Sequence, residues 1–189
     1  WIFMLEVLSL FTAYLFATQP IIRKVKDRFK LDRLQESDLL SVGVLVGLSL
    51  ILGLVIGMIS SIQLSVGREY VPSWVFLAVL ASFVLVQLQY LLLKHFRVIG
   101  MGLAFFMLIS YVYLSSAIGT TATLSGLPAL VKNVNLLSIL EGQFAGYFDG
   151  QTAGIGVFFG LLVFFGLLTV ANIFIPKKFT QTKEIESSL

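Results

Sequence analysis

The chain has 189 residues, 58% hydrophobic and 12% charged, with a formal net charge of +3. Water-soluble domains carry about a quarter charged residues, so this composition excludes a soluble globular fold and points to an integral membrane protein. With no cysteine and a single histidine, disulfides and thiolate metal sites are excluded as well.

Trp1–Thr18 is apolar apart from Glu6 and a few hydroxyls, and reads as a first span over 1–18. It does not read as a signal peptide, because its basic residues follow the apolar run instead of preceding it. A chain that opens on Trp1 is expected to continue a longer parent protein. Pro20 stops the helix, and the loop 19–38 then places Arg23, Lys24, Lys26, Arg28, Lys30 and Arg33 within eleven residues. Burying these cations in hydrocarbon would cost roughly 2.5–3.5 kcal/mol each, so the loop stays in water or among headgroups, and short loops of this kind are cytoplasmic. Ile21, Val25 and Phe29 follow i, i+4, i+8 spacing, which suits an amphipathic helix on the inner leaflet. Membrane anchoring and docking of a cytoplasmic partner are both open for it.

Leu39–Ile62 runs 24 residues without a charge. That is about 36 Å of helix, enough to cross a core of about 30 Å, and gives a second span, 39–62. After a polar turn, Gln63–Tyr70, Pro72 and Trp74 open a third span, 72–93. The basic turn Lys94-His95-Phe96-Arg97 follows, with Lys94 and Arg97 as further candidates for lipid or partner docking. A fourth span covers 98–118. The segment 119–153 reads as an extracellular loop. Its apolar patch Val134–Phe148 is interrupted by Asn135, Glu141 and two glycines, and is expected to form an interfacial or re-entrant helix opened by the Pro128 turn. A fifth span, 154–176, ends at Lys177 and Lys178, and 177–189 is a cytoplasmic tail.

This threading places eleven of the thirteen Lys/Arg inside and leaves only Arg68 and Lys132 outside, in line with the positive-inside rule. Making Val134–Phe148 a full crossing would move Lys177 and Lys178 outside and spoil the partition. The expected fold class is therefore all-α integral membrane: five transmembrane helices plus a short interfacial or re-entrant helix before the last, N-terminus outside, C-terminus cytoplasmic.

Gly43/Gly47 and Gly53/Gly57 on the second span, and Gly156/Gly160 on the fifth, are spaced i, i+4. Small residues so spaced let helix backbones approach closely in lipid, within a protomer or between protomers. The competing reading is that glycine is common in membrane helices. No nucleotide-binding loop, zinc-protease motif or serine elbow occurs, and His95 in its basic turn reads as a solvated interfacial residue. No catalytic, cofactor-binding or metal-ligating residue is expected, and no nucleic-acid partner. Glu6 is either an interfacial carboxylate or an interhelical contact, and Gln87 and Gln89 read as hydrogen-bonding glue between helices.

Val75–Leu114, with its basic turn leading into Ile-Gly-Met, resembles the C-terminal membrane region of the EsaA/YueB family, membrane components of the type VII secretion apparatus of Gram-positive bacteria. FTAYLF (Phe11–Phe16) before a basic loop and NLLSILEGQFAGYFDG (Asn135–Gly150) before the last span are similar to the same family. More distantly, the layout is similar to YhgE/Pip proteins and type-2 ABC exporter permeases. The resemblance implies a parent with a preceding span and a large extracellular domain, self-association as a homodimer, contact with other secretion-system membrane proteins and a separate ATPase, and a phage-receptor role in some members. The leading expectation is a non-enzymatic scaffold assisting export of small helical proteins. The alternatives are the permease subunit of an ABC exporter of lipids or amphipathic molecules, and a bare anchor for an outside domain.

Overall fold

A computed structural model describes residues 1–18, 39–118 and 126–175. The basic segment bearing Arg23, Lys24, Lys26, Arg28, Lys30 and Arg33, and the tail bearing Lys177, Lys178 and Lys183, lie outside the described residues. Hydrocarbon offers no partner for a backbone N–H or C=O, so a long uncharged run satisfies its own backbone as helix. The described residues accordingly form seven α-helices and no strand. They are α1 (Ile2–Thr18), α2 (Leu39–Gln63), α3 (Val71–Phe96), α4 (Val98–Ile118), α5 (Leu127–Val134), α6 (Leu136–Ala145) and α7 (Ile155–Phe174), with a 3-10 turn at Gly146–Asp149. Four of them, α2, α3, α4 and α7, are long and apolar enough to cross a membrane. α1 has 17 residues, about 26 Å of helix.

The bundle is built around α3, which packs against α1, α2, α4 and α7. Trp74, Leu77, Leu85 and Tyr90 on it are fully buried. Two layers of core run across the five longer helices. One joins Ile2 and Leu5 of α1, Ile56 of α2, Trp74 of α3 and Tyr111 of α4, with Val157 and Phe158 of α7 packed alongside. The other joins Leu10 and Ala13, Val42 and Leu45, Leu93 and Ala104, with Ile173 alongside. The first layer marks a tryptophan end, where Trp1 packs against Trp74 and Phe144 at ring distances of 5.3 and 4.3 Å. The second marks a lysine end, where α1 finishes, α2 starts, α3 turns into α4 and α7 stops.

Each turn has a local cause. Between α2 and α3, Ser65 takes a positive φ of 52°, Tyr70 N–H donates to the Gly67 carbonyl at 2.8 Å, and Pro72 sits in the first turn of α3, where its missing N–H costs nothing. Between α3 and α4 the chain reverses at Arg97 alone, with φ 44°. The return is this tight because Gly100 lies against the Leu92 carbonyl, where a Cβ would collide with it. The turn expected over Lys94–Arg97 is thus narrower, and α3 continues through Phe96.

The apolar patch Val134–Phe148 forms one short helix, α6, followed by the 3-10 turn, but it is not opened by the Pro128 turn. Pro128 opens the separate eight-residue α5, and Asn135 restarts the chain as α6 by accepting the Leu137 N–H on its side-chain oxygen at 2.9 Å. An asparagine at this position supplies a partner for an N–H that the first helical turn leaves unbonded.

Candidate functional site

The polar side chains of the bundle are collected in seams beside α3. On the α1–α3 seam, Glu6, Ser9 and Gln89 are all fully buried. Gln89 neighbours the Glu6 carboxylate, although neither completes a hydrogen bond of ordinary geometry and both Glu6 oxygens are unpartnered. Glu6 is therefore an interhelical residue and not an interfacial one. On the α3–α7 seam, Asn172 Nδ2 donates to the Gln87 carbonyl at 2.9 Å and to Gln87 Oε1 at 2.8 Å. Gln87 and Gln89 lie two residues apart on one helix, which turns them about 200° apart, so each faces a different neighbour. Between α2 and α3, Ser82 Oγ donates to the Ser49 carbonyl at 2.8 Å and Trp74 Nε1 to Ser60 Oγ at 2.9 Å. Such bonds average about 0.6 kcal/mol each in a membrane, so they select helix neighbours more than they hold the bundle together.

Lys94 is the one lysine drawn inside among the described residues, 5% exposed. Its Nζ donates to the carbonyls of Asn172 at 2.6 Å and Ile175 at 3.0 Å. The last carbonyls of α7 have no N–H of their own helix to accept, and a cation there also meets the negative end of the helix dipole. From the middle of α4 toward the tryptophan end, α5 and α6 are tied to it. Asn135 Nδ2 donates to the Met107 carbonyl at 2.8 Å and Ser110 Oγ at 2.9 Å, and Ser115 Oγ donates to Glu141 at 3.2 Å. Ser73 Oγ and Tyr147 OH share a hydrogen bond of 2.6 Å, which fastens the 3-10 turn to α3. No group of three or more His, Cys, Asp or Glu that could hold a metal occurs among the described residues. The arrangement positions helices and carries no catalytic constellation among the residues described.

The EsaA helical domain family matches residues 1–173, nearly the whole bundle and every seam just described. The chain belongs to the EsaA family. No curated protein and no solved structure matches it. The family ties this chain to type VII secretion and to a membrane location, and it is a family of secretion-system components, not one known for enzymes.

In this EsaA domain the residues singled out from the sequence are dispersed. Gly53 and Gly57 face α3: a Cβ on Gly53 would lie 2.5 Å from Val79 Cα, and one on Gly57 3.0 Å from Ala78 Cβ. Gly43, Gly47, Gly156 and Gly160 are exposed, and a Cβ on any of them meets nothing within 4 Å. Arg97 is exposed at the lysine end. Lys94, expected at the surface for docking, is corrected: it is buried and committed to the end of α7 because that end needs a donor. Asn135, Asn172 and Gly100 were not legible as functional positions. For Asn135 a signal existed, an asparagine directly before an apolar helical run. For Asn172 there was none, because its importance comes from Gln87 on a distant part of the chain.

Proposed function

We propose that this EsaA domain is a five-span, non-enzymatic scaffold of a type VII secretion system, with its N-terminus outside and its C-terminus cytoplasmic, assisting export of small helical substrates driven by a separate ATPase. The observation that carries the threading is the lysine end. The end of α1, the start of α2, the Arg97 turn and the end of α7 share the second core layer and its margin. Lys94 and Arg97 lie at that end, and the sequence attaches the basic segment 19–38 and Lys177–Lys178 to those same helix ends, the pattern expected of a cytoplasmic face. α1 completes the count of five: though only 17 residues long, it contributes to both core layers. Arg23, Lys24, Lys26, Arg28, Lys30, Arg33 and Arg97 then form the surface for anionic lipid and for the cytoplasmic partners, and the exposed glycines of α2 and α7 suit contact with a second copy or with other secretion-system membrane proteins. Binding of phages belongs, on this reading, to the parent's extracellular part.

The test is replacement of the five helices in the parent protein by an unrelated multi-pass anchor of the same sidedness. Secretion of the system's small helical substrates is expected to fall to the level of the gene deletion, with surface display of the rest of the parent intact. Export at the normal rate would show that the helices are only an anchor.

A further inference from the structure

On the α1–α3 seam, Glu6, Ser9 and Gln89 are each 0% exposed, and all five of their side-chain oxygen and nitrogen atoms lack a hydrogen bond. On the α3–α7 seam, by contrast, Gln87 and Asn172 are bonded to each other. Buried polar atoms left open on three neighbouring side chains call for a physical reason. Leu5 of α1 belongs to the first core layer and Leu10 to the second, and on α3 Leu85 and Tyr90 divide in the same way. Glu6, Ser9 and Gln89 therefore lie between the two layers, away from both ends of the bundle.

A bare carboxylate at that depth is among the costliest groups a membrane bundle can hold, so the seam needs one positive charge. No described side chain supplies it. α2 has no ionisable residue. α3 carries Tyr90, Lys94 and His95, and α4 carries Tyr111 and Tyr113. None of these, nor Tyr14 of α1 itself, pairs with Glu6, and Lys94 is committed to the end of α7. A metal ion and a proton are left, and the donor set decides between them. The three side chains offer four open oxygens, where calcium takes roughly six to eight and magnesium about six in a near-octahedron. The carbonyls of the surrounding helix turns already accept backbone N–H groups. A metal held by Gln89 Oε1 would also turn the amide N–H groups of Gln89 away from the carboxylate and leave them unbonded. A proton asks for less. A neutral Glu6 carboxyl donates its O–H to Gln89 Oε1 and accepts a Gln89 Nε2–H on its other oxygen, which settles the charge and four of the five open atoms together. We infer that Glu6 and Gln89 form a proton-binding site in the interior of the bundle, closed by this reciprocal pair across the α1–α3 seam. Release of the proton leaves an unpaired charge between the helices, so the fit of α1 on α3 depends on whether the site is filled.

The experiment uses the full chain in nanodiscs at neutral pH. Its probe is dicyclohexylcarbodiimide, a membrane-soluble reagent that attacks protonated carboxyl groups, with adducts mapped by mass spectrometry. Glu6 is expected to be labelled, and the exposed Glu69 and Asp149 are not. The infrared spectrum should show a protonated-carboxyl band that Glu6→Gln removes and Gln89→Leu shifts, because the acid then loses its partner. Glu6→Gln keeps the shape of the side chain and can make the same reciprocal pair as an amide, so this variant is expected to fold. The closed seam holds the proton and the opened one does not, so raising the pH above neutral should lower the unfolding temperature of the unaltered protein. That of Glu6→Gln should fall less. Protection of Glu6 from the carbodiimide by sodium or calcium ions would give the seam to a metal and overturn the proton site. An unlabelled Glu6, a carboxyl band that survives Glu6→Gln, a band that Gln89→Leu leaves in place, or equal pH dependence in both proteins would overturn it as well. None of these results depends on secretion, so the inference can fail while the proposed function stands.

Discussion

A methyl group added at Gly53 would meet the Val79 backbone, which cannot turn aside as a side chain can. α2 and α3 would have to separate there, and overpacking of this kind costs about 1–3 kcal/mol. Gly53→Leu is therefore expected to lower the thermal unfolding temperature of the detergent-solubilised protein. Gly102→Ala, with nothing within 4 Å of the new carbon, should leave it unchanged or add up to about 1 kcal/mol of helix propensity. Gly47→Leu separates the two meanings of one spacing: the monomer should unfold at the original temperature while the cross-linked dimer fraction falls. An unaltered dimer fraction would remove Gly47 from any interface between copies. The i, i+4 pattern was legible in the sequence, but the face it serves was not. In a soluble helix the buried side is marked by polar residues opposite it. In lipid both sides are apolar, so Gly47 and Gly53 look alike until α3 is in place. Gly100 shows the same limit from the other direction: no repeat singles it out, and its role appears only when the Leu92 carbonyl is beside it.

Among the elements, the long helices were readable nearly to the residue. An uncharged run from Leu39 and the proline at 72 mark α2 and the start of α3, since hydrocarbon leaves the backbone no other choice. The segment before α7 was less legible, because its apolar residues read as one patch while its helix boundary rests on a single amide, Asn135. That side chain caps α6 with one hydrogen bond and ties it to α4 with two. Asn135→Ala should remove the cap, worth about 0.5–2 kcal/mol, together with both ties. Asn135→Asp keeps an acceptor for Leu137 N–H but sets a carboxylate oxygen against the Met107 carbonyl. Both variants are expected to speed amide hydrogen exchange across α5 and α6, with α3 remaining protected. Exchange that rises equally in α3 would mean that the two short helices are not a separately loosening unit but part of the central packing.

At the scale of the whole molecule, the two ends of the bundle differ in what they can tolerate. The tryptophan end is closed by aromatic rings, with Trp74 meeting Phe144 at 4.7 Å and Tyr147 at 5.5 Å. It exposes Arg68. The lysine end joins every segment in which cations cluster, and bringing those cations across a bilayer during insertion would cost roughly 2.5–3.5 kcal/mol apiece. Sidedness is therefore set by the loops, while the helix packing would be the same either way up. Because the chain contains no cysteine, single cysteines report it without a background. In intact cells, a membrane-impermeant maleimide is expected to label Ser65→Cys and Asp149→Cys at the tryptophan end. Lys26→Cys, Arg97→Cys and Lys183→Cys should react only after the membrane is permeabilised. Labelling of the last three from outside would invert the bundle, place the basic surface away from any cytoplasmic ATPase, and remove the physical basis for the scaffold proposed here. Labelling of Asp149 and Arg97 from the same side would break the five-span threading itself, since α4 would then not cross the membrane between them.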